Sequence, residues 1–146
     1  MKTRTATTTM VLLVLGSVGT AKASEMPCAS ARDLDNDGRP DQRVAYVYVN
    51  GLLSAESVYS SGATRPNQVT RFVYDRLGRL WGKAVDTDGD GDADRNFYFD
   101  YRSDGKLNAE GIDDGPDGWL DQITVYTYAG NVRTAHVDLG ADGSAD

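Results

Sequence analysis

The sequence predicts an all-β protein: an antiparallel meander of tandem β-hairpin repeats, about eight strands, with Asp/Gly-rich loops gathered at one end. Three observations predict it. Stretches such as RVAYVYV (43–49) and RNFYFDY (95–101) alternate with the two-residue period of a strand. A nine-residue frame with Asp at positions 1, 5 and 9 and Gly at position 6 returns along the chain: DLDNDGRPD (33–41), DTDGDGDAD (86–94), DDGPDGWLD (113–121) and DLGADGSAD (138–146). Aromatic pairs, Tyr46 and Tyr48, Phe72 and Tyr74, Phe99 and Tyr101, Tyr126 and Tyr128, step 26 or 27 residues from one copy to the next.

Each element follows from this period. The first loop, 33–41, leads into a strand at 43–49, and the turn VNGL sends the chain back along 52–58. A second loop is due at Tyr59–Asn67; YSSGATRPN keeps the frame and has lost the acids, so it is expected to bind nothing. Strands at 69–75 and 79–85 flank the turn DRLGRL, and the loop 86–94 follows. Strands at 95–101 and 106–112 flank RSDGKL, and the loop 113–121 follows. Strands at 122–128 and 131–137 flank AGNV, and the loop 138–146 ends the chain.

Strict alternation places the aromatics on one face together with Leu53, Ala55, Ser57; Leu80, Gly82, Ala84; Leu107, Ala109, Gly111; and Val132, Thr134, His136. The other face then carries Val47, Val73, Tyr98, Val125 and Val58, Val85, Ile112, Val137. Such an apolar second face predicts a meander that twists, curls or folds over itself.

The opening MKTRTATTTMVLLVLGSVGTAKA has two early basic residues, a short apolar run and a small-residue ending, the pattern of a secretory signal peptide over 1–23. The apolar run is too short for a membrane span. A flexible lead-in, 24–32, and a repeat domain, 33–146, are expected to follow. The lone Cys28 cannot form an internal disulfide. The whole chain carries −7, and removing Lys2, Arg4 and Lys22 leaves −10, which disfavours nucleic acid and anionic membranes as partners. A secreted or periplasmic location is expected.

Alternating carboxylates repel unless a cation neutralises them. Asp at positions 1, 3, 5 and 9 with a turn glycine at 6 is the ligand order of an EF-hand-like calcium loop, with a backbone carbonyl at position 7. The candidate Ca2+ ligands are Asp33, Asp35, Asp37, Arg39 and Asp41; Asp86, Asp88, Asp90, Asp92 and Asp94; Asp113, Asp117, Trp119 and Asp121; and Asp138, Asp142, Ser144 and Asp146. Arg39, Asp92, Trp119 and Ser144 enter through their carbonyls. Position 3 is Gly115 and Gly140 in the last two loops, which leaves them a carboxylate short. Position 12 is Val44, Phe97 and Thr124 instead of Glu, and strands replace the EF-hand helices.

These loops resemble the DxDxDGxxD loops of FG-GAP and thrombospondin type 3 repeats, and the resemblance implies calcium-organised loops outside a helix-loop-helix frame. FVYDRLGRL (72–80) resembles the aromatic-Asp-x-x-Gly-Arg-Leu turn of RHS or YD repeats, with YRSDGKL (101–107) a weaker copy. That second resemblance implies β-hairpins, in a family whose activity resides elsewhere than in the repeats.

The functional expectation is a calcium-stabilised structural or binding module without enzymatic activity. Carbohydrate and another surface protein are the partner classes, the former through the tyrosine rows and Trp81. Trp119 is expected to cover the third loop. A small secreted hydrolase is the remaining class, and it would need paired carboxylates in a cleft. The loops already contain 16 of the 22 acids, which accounts for them without catalysis. His136, the only histidine, has no nucleophile implied beside it.

Overall fold

The computed structural model describes Met10, Val11 and residues 27–146. The remainder of the expected signal peptide lies outside the described residues. The strands are β1 (Met10–Val11), β2 (Ala29–Arg32), β3 (Gln42–Val49), β4 (Leu52–Ser60), β5 (Gln68–Tyr74), β6 (Leu80–Asp86), β7 (Arg95–Tyr101), β8 (Leu107–Asp114), β9 (Gln122–Ala129) and β10 (Val132–Leu139). The nine strands from β2 to β10 form one open antiparallel meander in which each strand pairs with its neighbours in sequence. The two-residue β1 pairs with Ala31 and Arg32 of β2. Among the described residues there is no helix, and none long and apolar enough to cross a membrane.

All eight strands expected from the repeat are present. Within the lead-in expected to be flexible, Ala29–Arg32 instead forms β2, because the free edge of β3 presents backbone groups that demand partners. Tyr46 N–H donates to the Cys28 carbonyl (2.9 Å), and the buried Ser30 hydroxyl meets Tyr46 Oη at 3.1 Å.

The tight turns sit at the end away from the acidic loops. Asn50 and Gly51 both adopt positive φ (51° and 80°), the requirement of a two-residue type I′ turn. In the next two hairpins the Asp75 N–H donates to the Arg79 carbonyl and the Arg102 N–H to the Lys106 carbonyl, with Gly78 and Gly105 left-handed. Each of these three hairpins then shifts register by one residue, at Val47/Tyr48, Val73/Tyr74 and Asp100/Tyr101.

That shift corrects the face assignment. A bulge inserts one residue on one strand and reverses the parity beyond it. Leu53, Leu80 and Leu107 therefore stand opposite Tyr48, Tyr74 and Tyr101 as expected, but Tyr46 faces Glu56, Phe72 faces Lys83 and Phe99 faces Glu110. The aromatic face carries Val58, Val85, Ile112 and Val137, while Ala55, Ser57, Gly82, Ala84, Ala109 and Gly111 lie on the opposite face. In the last hairpin no bulge intervenes, so Val132, Thr134 and His136 lie on that opposite face too, with His136 across from Val125.

The sheet does not fold over itself: among the described residues, strands contact only their neighbours in the meander. It is a single layer. Among the described residues Val44 and Tyr126 are its buried apolar side chains, and Val47, on the face opposite the aromatic pairs, remains 53% exposed. Rings and cations pack against one another along this single layer. Arg43 stacks on Tyr59 at 4.3 Å, Arg79 on Tyr101 at 4.6 Å and Arg133 on Tyr126 at 4.8 Å. Tyr101 and Tyr128, one repeat apart, donate their hydroxyls to the carbonyls of Leu80 (2.9 Å) and Leu107 (2.7 Å).

Candidate metal centres

The even-numbered strands all run toward the loop end, so the five loops stand side by side there. Each is closed in the same way. The N–H at position 9 (Asp41, Asn67, Asp94, Asp121, Asp146) donates to the carbonyl of the residue before position 1 (Arg32, Val58, Val85, Ile112, Val137) at 2.7–3.0 Å. The position 9 side chain accepts the N–H of position 2, at 2.7 Å from Leu34 and Ser60 and 2.6 Å from Thr87, Asp114 and Leu139. The remnant Tyr59–Asn67 keeps both bonds because the Asn67 amide oxygen substitutes for a carboxylate oxygen. Its acids are gone; its closure is not.

Inside the acidic loops the carboxylates first organise the backbone. Asp33 accepts the N–H of Asn36 (2.7 Å) and Gly38 (2.9 Å), and Asp86 accepts those of Gly89 (2.6 Å) and Gly91 (3.0 Å). The position 5 aspartates Asp37, Asp90, Asp117 and Asp142 each accept the N–H of position 7, from Arg39, Asp92, Trp119 and Ser144, at 2.8–2.9 Å. Asp35 and Asp88 at position 3 accept the position 5 N–H at 3.1 Å. The position 6 glycines are left-handed, from 88° at Gly38 to 110° at Gly91, where an L side chain would be strained. A carboxylate offers about four lone-pair sites, so these backbone bonds leave acceptor capacity for an ion.

Two loops converge their oxygens. One carboxylate oxygen each from Asp33, Asp35 and Asp37, and one each from Asp86, Asp88 and Asp94, lie within 4.8 Å of one another. Oxygens bound to a single calcium at about 2.3–2.6 Å stand no more than about 5 Å apart, so both sets fit one ion. Asp41 and Asp90 fall outside these two groups of three. Among the described residues the loops at 113 and 138 form no comparable group, and their position 3 is glycine. Asp113 is 1% exposed and accepts the Asp117 N–H at 3.3 Å, while Asp138 accepts Asp142 (3.2 Å) and Gly143 (2.8 Å). Trp119 is 79% exposed and leaves the third loop uncovered; the adjacent Leu120 turns onto Gly111 instead.

The electrostatics vary along the row. The Asp94 carboxyl is held below the ordinary range, first by the Thr87 hydroxyl (2.5 Å) and then by the Thr87 N–H. Asp114 is lowered by the Arg95 guanidinium, which binds it through two nitrogens at 2.8 and 2.5 Å, and Arg95 is raised in turn.

Adjacent loops are also joined. Ser61 N–H donates to the Asp41 carbonyl (2.8 Å), Gly115 to Asp94 (2.7 Å) and Gly140 to Asp121 (2.5 Å), in each case from position 3 of one loop to position 9 of the loop before. Between the remnant and the second acidic loop the approach is closer still: a Cβ on Gly89 would lie 2.0 Å from the Pro66 carbonyl oxygen. The sequence alone does not show this hydrogen-bonded ladder of loops. Its one visible signal was the constant distance from each loop to the next strand.

No family model and no curated protein matches the chain.

Proposed function

We propose that the chain is a secreted or periplasmic calcium-binding β-repeat protein that serves as a structural or binding module. The observation carrying this reading is the convergence of three carboxylate oxygens in each of the loops 33–41 and 86–94, on a backbone that turns at a left-handed position 6 glycine. Calcium suits these sites better than magnesium, because a loop of flexible carboxylates and carbonyls accommodates a larger ion with irregular geometry. Bound there, the ion supplies charge neutralisation. The chain's own residues set the loop curvature through backbone N–H bonds, and the position 9 side chain fastens each loop to its strand pair.

Calorimetric titration with Ca2+ and, separately, Mg2+ tests this function. The expected result is calcium binding at the first two acidic loops and at least tenfold weaker magnesium binding. Equal affinities, or no heat with calcium, would contradict it.

A calcium-dependent carbohydrate or matrix adhesin is the second reading. It is favoured by Trp81, which is 53% exposed and meets Tyr98 edge to face with centroids 6.4 Å apart, on the face opposite the aromatic pairs.

A further inference from the structure

The aromatic face contains a groove of about 470 Å³ over β5 to β8, at the loop end. Across four strands Thr70, Val85, Arg95 and Asp114 stand directly opposite one another and form its floor. Lys83, its Nζ 3.8 Å from the centroid of the Phe97 ring, borders the groove toward the turns. Thr87 and Asp94 of the second acidic loop border it on the other side.

Lys83 departs from the repeat. The same position in the units before and after is Glu56 and Glu110, and Glu110 accepts a hydrogen bond from the Tyr126 hydroxyl. At Lys83 both members of that pair have changed: the acid has become a base, and the residue corresponding to Tyr126 is Phe99, which has no hydroxyl. Arg95, the other cation of the groove, is consumed by its two-nitrogen pair with Asp114. Lys83, by contrast, forms no ion pair among the described residues. This unit thus places, where its neighbours carry an acid, an ammonium without an ion pair beside threonine hydroxyls and the one apolar side chain of the floor, Val85. That combination matches a ligand with one anionic group, several hydroxyls and a C–H face.

We propose that this groove binds a carboxylate-bearing sugar. The ligand carboxylate meets the Lys83 ammonium, its hydroxyls meet Thr70, Thr87 and Gln68, and its C–H face lies on Val85. Asp94 opposes the ligand carboxylate when its own charge is free, and an ion in the second loop takes up that charge. Calcium therefore strengthens sugar binding, and by linkage the sugar strengthens calcium binding by the same factor. This coupling rests on the calcium reading; the groove itself does not.

The test is calorimetry of the chain with cellobiouronic acid and its neutral counterpart cellobiose, in excess calcium and in excess chelator. The expected result is binding of the acid disaccharide at least tenfold tighter than cellobiose, loss of that preference in Lys83→Met with the calcium titration unchanged, and weaker binding in chelator. Absence of binding, equal affinity for the two sugars, or an undiminished preference in Lys83→Met would overturn the proposal. Loss of binding in Trp81→Ala with Lys83→Met unaffected would place the sugar on the opposite face and also overturn it. Lys83-dependent binding in a protein that gives no heat with calcium would sustain the groove and refute the metal reading, so the two fail separately.

Discussion

Position 3 of the acidic loops separates two chemical groups. Asp35 and Asp88 each bring a third oxygen within reach of one ion, whereas Gly115 and Gly140 bring none. Replacing Asp88 with Asn keeps the shape and removes the charge, so calcium affinity at the second acidic loop should fall by roughly an order of magnitude or more. Calorimetry would register the loss of one tight site with the other retained. The depressed Asp94 carboxyl makes a second prediction at this scale. A carboxyl whose folded pKa lies below its unfolded value, about 3.9, contributes stability that is present above that value and lost as pH falls through the folded pKa. Thr87→Val removes the largest cause of the depression, so the Asp94 pKa should rise toward 3.9 in a carboxyl NMR titration without calcium. An unmoved pKa would assign the depression to the backbone N–H alone.

At the scale of the loop and the hairpin, closure and metal binding are separable. Asn67 fastens its loop with the bonds that aspartates use elsewhere, in a copy that has lost the other acids. Asn67→Leu should therefore destabilise the protein by about 1 kcal/mol in chemical denaturation, the worth of one typical hydrogen bond, and leave calcium stoichiometry unchanged. A changed stoichiometry would mean that the remnant loop holds metal. Strand existence was legible in the sequence because aromatics, turns and loops share one period. The side-chain faces beyond the turns were not, because three bulges reverse parity where the sequence shows only polar turns. The Asp/Gly frame likewise named the loops, while their joining between residues 19 to 21 apart in the chain depends on backbone hydrogen bonds from loop to loop that spacing alone does not show.

For the whole molecule, a single-layer sheet distributes its stability unevenly. Val44, fully buried where β2, β3 and β4 meet, should lose about 2 kcal/mol on replacement by Ala, from two buried carbon groups and the void they leave. Val73→Thr, at a half-exposed position on the face opposite the aromatic pairs, should change stability by less than about 0.5 kcal/mol. Urea denaturation distinguishes the two, and comparable losses would mean that the second face is covered in solution. With so few buried apolar side chains, the acidic loop end becomes decisive: like charges crowd there, and the loops are tied to one another through the Gly115 and Gly140 N–H bonds. Metal at one end is thus expected to stabilise the meander as a unit, since an ion that binds only the folded loops raises stability by mass action. The most direct measurement is thermal melting of the protein in excess calcium and again in excess chelator at the same pH and ionic strength. The expected result is a clearly higher melting temperature with calcium that returns to the chelated value when the ion is removed. Identical melting temperatures in the two conditions would contradict it.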